Sequence, residues 1–180
     1  MKVKICGITN IEDALFCADN GADALGFVFY DKSKRYISFE DAKDIVEKLP
    51  SFIMKVGVFV NEDAEVVNKK AEYVGLNAVQ LHGDEEQSYL NKIHHPVINA
   101  FRVGDEFDWS LIDQYKNCNI LLDSYSKDLY GGTGKTFEWR IIPERYRTKI
   151  ILSGGVSIEN LEQIFTEIKP AAIDVLSSLE

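Results

Sequence analysis

At 180 residues, 46% apolar and 27% charged, the chain has the size and composition of one globular domain, residues 1–180, able to bury a core. Its net charge of −9 argues against a nucleic-acid partner, but allows an anionic substrate held by backbone N–H groups and a few local cations. The three cysteines, Cys6, Cys17 and Cys118, have no paired spacing, which predicts a reducing compartment, the cytoplasm; with His82, His94 and His95 they make no zinc-ligand pattern, so no metal is expected.

Lys2 to Cys6 alternate polar and apolar residues, the period of a strand whose faces differ. Val3 and Ile5 point one way, Lys4 and Cys6 the other. The chain enters this charged strand directly, so no signal peptide is expected. No later apolar run is long enough to span a membrane. Gly7 follows the strand, and Thr9-Asn10 supplies an N-cap for a helix through Ile11-Glu12-Asp13-Ala14-Leu15-Phe16. Cys6 thus ends a strand where it breaks into a strand-to-helix loop. A cysteine there is either a small buried hydrophobe or a nucleophile or base in need of a partner.

Asn20-Gly21 ends the first helix, and Ala24 to Phe29 reads as a buried strand. The basic loop Asp31-Lys32-Ser33-Lys34-Arg35 follows, with Arg35 as either a solvated side chain or an anion contact. Ser38 opens a helix to Leu49. Met54 to Val60 is a third strand, Asn61 caps a helix with Ala64, Val67, Ala71 and Val74 on one face, and Gly75 stops it. Leu76 to Leu81 is the fourth strand and delivers His82, a ligand contact or a satisfied polar group, ahead of a helix from Glu85 to Ile93. Pro96 to Phe101, Asn119 to Asp123, Lys149 to Leu152 and Ala171 to Val175 complete eight strands. Helical segments at Asp108–Tyr115, Phe137–Ile142 and Ile158–Ile168 lie between them, the last capped by Ser157.

Eight strands alternating with helices predict a compact (β/α)8 barrel rather than an open doubly wound sheet, for which the Gly-rich dinucleotide turn is missing. The chain is short for that fold, which runs to about 250 residues, and a missing eighth helix accounts for part of the difference. All strand C-termini of a barrel open on one face, so Cys6, Arg35, His82, Asp123 and Ser153-Gly154-Gly155 are expected to converge. Glycine-rich backbone after the seventh strand, with Ser177-Ser178 after the eighth, reads as a phosphate cradle. Cys6 and Asp123 come from opposite sides of the mouth and suit a base and acid pair acting on a bound sugar phosphate. Gly131-Gly132-Thr133-Gly134-Lys135-Thr136 mimics the tail of a P-loop, but residue 129 is Leu129 and no strand runs into it; a glycine-hinged active-site loop is the better reading.

Lys4-Ile5-Cys6-Gly7-Ile8-Thr9, Gly26-Phe27-Val28-Phe29, Ser33-Lys34-Arg35-Tyr36-Ile37 and Val56-Gly57-Val58-Phe59-Val60 resemble the phosphoribosylanthranilate isomerases of tryptophan biosynthesis. So do Val79-Gln80-Leu81-His82-Gly83, Leu121-Leu122-Asp123, Gly131 to Phe137 and Leu152-Ser153-Gly154-Gly155, and the likeness spans nearly the whole chain. The resemblance implies a cofactor-free Amadori rearrangement of N-(5'-phosphoribosyl)anthranilate to 1-(2-carboxyphenylamino)-1-deoxyribulose 5-phosphate. By that likeness Asp123 is the general acid, Cys6 the general base, and Arg35 meets the anthranilate carboxylate. The candidate substrate-binding residues are Arg35, His82, Ser153, Gly154, Gly155, Ser177 and Ser178. After the last strand the chain departs from the family: Leu176 and Ser178 stand where the pattern Asp-Val-Ser-Ser-Gly-Val-Glu has serine and glycine.

Two other classes are weighed against this reading. An epimerase barrel would bring metal ligands and an indole-forming synthase a lysine at the end of the first strand, and neither is present; a non-catalytic phosphate-binding barrel is separated only by assay. The chain is expected to act as a monomer. Lys4 should lie inside the barrel, paired with Asp174. Ile173 and Val175, with Val3 and Ile5 beside them, are expected to lack the cover of an eighth helix. That predicts marginal stability for a monomer, with two explanations open: a polypeptide that continues past Glu180, the favoured one, or another chain covering the patch.

Overall fold

Eight strands join edge to edge in chain order and close into a parallel barrel in the computed structural model, which describes residues 1–104, 106–124 and 137–176. They are β1 (Lys2–Ile5), β2 (Ala24–Val28), β3 (Met54–Phe59), β4 (Ala78–Leu81), β5 (Val97–Val103), β6 (Cys118–Ser124), β7 (Ile150–Leu152) and β8 (Ala172–Val175). Closure is made by β1 and β8, with Lys4 opposite Asp174 and Ile5 opposite Val175. That pairing rules out the open sheet.

Side-chain alternation sorts each strand into two faces. Leu25 and Phe27 of β2, Phe59 of β3 and Val79 and Leu81 of β4 pack outward with the helical residues Ala14, Ala42 and Val67. Ala24, Val56, Ala78, Ile98, Ala100 and Leu121 form a cluster made of strand residues alone, the floor of the barrel interior. Small side chains there leave the layer above to polar groups.

Helix α1 (Ile11–Asp19) starts at Asn10, whose Oδ1 accepts from Asp13 N at 2.8 Å, and α2 (Phe39–Val46) at Ser38, whose Oγ accepts from Asp41 N at 3.1 Å. Helix α3 (Ala64–Val74) is capped by Asp63 rather than Asn61. Asn61 takes a left-handed φ of 52° and accepts instead from Asp84 N in the neighbouring loop. Gly75 ends α3 at φ 80°, as its position predicts. Past β4 the outer layer thins. Helix α4 spans only Gln87–Leu90, because the Glu85 carboxylate turns back onto the N–H groups of Asn61 and Gly83.

The segment expected as a helix at Asp108–Tyr115 is a 3-10 helix, Trp109–Gln114, capped by Asp108 Oδ1 accepting from Ser110 N two residues on. A second 3-10 helix at Trp139–Ile141 leads to α5 (Glu144–Arg147), which periodicity missed. The stretch Ile158–Ile168 changes width along its length: 3-10 at Ile158–Asn160, α6 at Leu161–Gln163 and π at Ile164–Ile168. It covers the outer face of β8. Ile173 and Val175, expected to be bare, are 5% and 9% exposed and share a core cluster with Ile164 and Ile168; Val3 and Ile5 pack against that cluster, half-buried. Among the described residues no helix is long and apolar enough to cross a membrane.

Candidate active site

Cys6 follows β1 directly, its N–H donating to Val175 O at 2.9 Å. Gly7 turns the chain at φ 78°, and its N–H and that of Ile8 both donate to Gly26 O. Backbone bonds to β8 and to β2 therefore fix the thiol before any side chain acts. Around it stand Val28 and Val58, with Tyr30 and Leu176 partly buried beside them. A Cβ on Gly7 would lie 2.4 Å from Leu176 Cδ1 and 3.1 Å from Arg35 Cγ, so the Arg35 stem and Leu176 both lean on this loop.

Beneath the thiol Lys4 Nζ meets Asp174 Oδ1 at 2.8 Å, both side chains buried, as expected from the strand pattern. Burial alone would lower the Lys4 pKa, but the Asp174 carboxylate and the Cys6 sulfur beside it hold it above its ordinary value. Burial pushes the Asp174 carboxyl up against the pull of Lys4. These two directions oppose each other, and the short contact decides for an ionised pair at neutral pH: a protonated Asp174 would strand a buried ammonium. Burial also raises the Cys6 thiol, with Lys4 pulling it down and Asp174 pushing it up.

On the far side of the mouth Asp123 of β6 is 3% exposed. Its Oδ1 accepts from Ser124 N at 2.8 Å and its Oδ2 meets His82 Nε2 at 3.1 Å. His82 Nδ1 accepts from the Gln80 amide at 2.9 Å, so the neutral ring carries its proton on Nε2 and donates it to Asp123. Both ring nitrogens are thus used by the protein. These contacts with Gln80 and Asp123 are what the reading of His82 as a satisfied polar group requires. Gln80 escaped the sequence reading, although an amide between the outward Val79 and Leu81 was a signal of an inward polar contact.

After β7 the chain bends over Asp123. Gly154 and Gly155 are left-handed at φ 77° and 73°, and a Cβ on Gly154 would lie 2.6 Å from Ser124 N and 2.9 Å from Asp123 Oδ1. Ser153 N donates to Leu122 O at 2.8 Å, anchoring the bend. Two successive glycines after the seventh strand lie where barrels of this kind commonly bind phosphate. The structure therefore brings Cys6, Arg35, His82, Asp123, Ser153, Gly154 and Gly155 to one end of the barrel. Ser177, Ser178 and the loop Gly131–Thr136 lie outside the described residues. Among the described residues no three His, Cys, Asp or Glu side chains cluster as metal ligands.

Gly26 of β2 gives the thiol its room. A Cβ there would stand 2.8 Å from Cys6 Sγ and 3.1 Å from Lys4 Nζ. Gly26→Ala is expected to displace both groups and to cost about 1–3 kcal/mol by overpacking. Chemical denaturation and a crystal structure of the variant check it; an unmoved Sγ with wild-type stability refutes it.

The family profile described as N-(5'phosphoribosyl)anthranilate (PRA) isomerase matches residues 3–180. The N-(5'-phosphoribosyl)anthranilate isomerase of Thermotoga maritima is 50% identical over 184 residues, covering 100% of this chain and 89% of that one. The crystal structure of phosphoribosyl anthranilate isomerase from Thermotoga maritima superposes with a TM-score of 0.91 at 48% identity, with the same coverage. A phosphoribosyl anthranilate isomerase in complex with reduced 1-(o-carboxyphenylamino)-1-deoxyribulose 5-phosphate gives 0.87 at 46% identity, covering 100% and 89% of the two chains. Profile, sequence and barrel agree over the whole length, and the chain belongs to the N-(5'-phosphoribosyl)anthranilate isomerase family.

Proposed function

We propose that the chain rearranges N-(5'-phosphoribosyl)anthranilate to 1-(2-carboxyphenylamino)-1-deoxyribulose 5-phosphate in tryptophan biosynthesis, with Asp123 as general acid and Cys6 as general base. The observation that carries this reading is a buried carboxyl and a buried thiol at one barrel mouth, beside a pair of left-handed glycines. The Gly154 and Gly155 N–H groups hold the 5'-phosphate, extended by Ser153 and by Ser177 and Ser178. Arg35 meets the carboxylate of the anthranilate ring.

Asp123 protonates the ribose ring oxygen, and the anthranilate nitrogen lone pair opens the ring to an iminium. The iminium acidifies the C2' proton, which the Cys6 thiolate takes, and the electrons flow to nitrogen to give the enolamine. The 2'-hydroxyl then gives up its proton while C1' gains one, leaving the ketone. No atom is gained or lost. The iminium nitrogen is itself the electron sink, so the step requires neither a metal nor a pyridoxal group. His82 Nε2–H and Ser124 N–H hold the Asp123 carboxyl in one orientation throughout, which keeps its proton-bearing oxygen aligned with the ring oxygen. The free thiols Cys6, Cys17 and Cys118 suit the cytoplasm, and residues 1–180 read as one domain.

The substrate is fluorescent through its anthranilate group. Adding the protein to freshly prepared substrate is expected to quench that fluorescence with first-order decay and to yield the deoxyribulose product by mass-neutral conversion. Decay no faster than the spontaneous hydrolysis, with anthranilate as the product, would overturn the proposal.

A further inference from the structure

We propose that Lys4 is a positioning residue for the reaction, whose ammonium serves as the counter-ion of the Cys6 thiolate, and that Asp174 competes with the thiolate for it. The inference rests on the proposed role of Cys6 as base and adds the means by which a dry thiol can act as one.

Three observations support it. Lys4 Nζ and Cys6 Sγ lie within 3.1 Å and 2.8 Å of the same point, the missing Cβ of Gly26, so the glycine joins the two groups across one small gap. Among the described residues, nothing else near the thiol can stabilise a negative sulfur to the same degree. Val28 from β2 and Val58 from β3 are apolar, as are the neighbouring Tyr30 ring and Leu176 side chain, and the Gly7 N–H supplies one dipole. The charged groups facing this layer are Lys4 from β1, Asp174 from β8, and Asp123 from β6 and His82 just after β4, which reach the thiol through Asp174; the Arg35 stem leans on Gly7 from above. Finally, Lys4 and Asp174 are a buried pair directly under a reactive position, where an apolar pair would fill the barrel at no loss of stability. A buried ion pair placed there has a use beyond packing.

The geometry gives two functions to one carboxylate. With Asp174 ionised, the ammonium is neutralised from below and the thiol keeps its proton at rest. Once Cys6 has ionised, the ammonium is shared between carboxylate and sulfur, and the pull of Lys4 partly offsets the desolvation that opposes a buried thiolate. Removing Asp174 frees Lys4 wholly for the sulfur. Removing both leaves the sulfur alone in an apolar layer. The two changes therefore move the thiol in opposite directions, which a packing role for the pair does not do.

The test is a titration of Cys6 in a background where Cys17→Ser and Cys118→Ser leave it as the sole thiol, read by thiolate absorbance and by the pH dependence of alkylation with iodoacetamide. Asp174→Asn is expected to lower the midpoint by about one pH unit, and the double variant Lys4→Met/Asp174→Leu to raise it by about one unit. The ascending limb of the pH–kcat profile should follow each shift. Midpoints that stay together within error, or that move in the same direction, overturn the proposal. If Asp174→Asn does not fold, the double variant decides alone: a midpoint at or below the parent value refutes it. The titration needs no substrate. A Cys6→Ala variant that retained turnover would therefore remove the base assignment and leave the counter-ion relation to be judged on the midpoints.

Discussion

Replacing Cys6 by Ala, or Asp123 by Asn, lowers kcat by at least ~10²-fold each, the ordinary worth of a positioned acid or base. The affinity for the product changes little. Neither substitution removes a charge that holds phosphate or carboxylate, and the carboxamide of the Asp123→Asn variant still has an oxygen to accept from Ser124 N or His82. The loss therefore falls on kcat rather than on KM. Stopped-flow fluorescence under saturating substrate measures it, and a variant turning over within tenfold of the parent would remove its residue from the mechanism. The pH dependence carries a sign. Because burial raises the Cys6 thiol above its ordinary value of 9.0, the thiolate fraction climbs with pH through and beyond that value, and kcat follows it where proton removal from C2' alone limits the rate. The profile of Asp123→Asn should keep this ascending limb.

Lys4→Met destabilises the fold by about 3–5 kcal/mol, since it leaves the Asp174 carboxylate buried without its counter-ion. Against a total of about 5–15 kcal/mol that is at least about a fifth of the stability. Lys4→Met/Asp174→Leu, which removes both charges together, recovers most of the loss. The pH course follows from the raised Lys4 pKa. Its contribution is fully present below the ordinary value of 10.5 and is lost as pH rises through the higher value it has in the fold. Urea unfolding of the parent and the two variants at neutral and alkaline pH measures both effects; equal midpoints for parent and Lys4→Met would refute the account.

The Lys4–Asp174 contact was legible because it needs only two facts from the sequence. Alternation puts Lys4 and Cys6 on the same face, and barrel closure sets β8 beside β1; the observed register then places Lys4 opposite Asp174. The His82–Asp123–Gln80 cluster needed more. β4 and β6 are not neighbours, so their side chains meet only across the interior, at a height fixed by the stagger of all the strands between them. No pattern within one segment encodes that height. Helix type was not legible from the caps: Asp108 accepts from Ser110 N just as Asp63 accepts from Glu65 N, yet the first opens a 3-10 turn and the second an α-helix. Asn61 misled as well, its side chain serving a loop 23 residues on rather than the helix beside it.

The pairing of Lys4 with Asp174 spans 170 positions of the chain. During synthesis the lysine emerges 170 residues ahead of Asp174, so throughout that interval the amine lacks its counter-ion. A half-made sheet ending at β7 presents β1 and β7 as open edges, and Lys4 keeps to water because water is its best available partner. Closure by β8 is what draws the amine inside, and with it the thiol above. Contacts of such long sequence separation form slowly, after the local helix and strand pairs have condensed. Until β8 is in place, Cys6 lacks the Val175 carbonyl that holds its N–H, and Lys4 lacks Asp174, so a chain without the β1–β8 seam has the thiol but not the site.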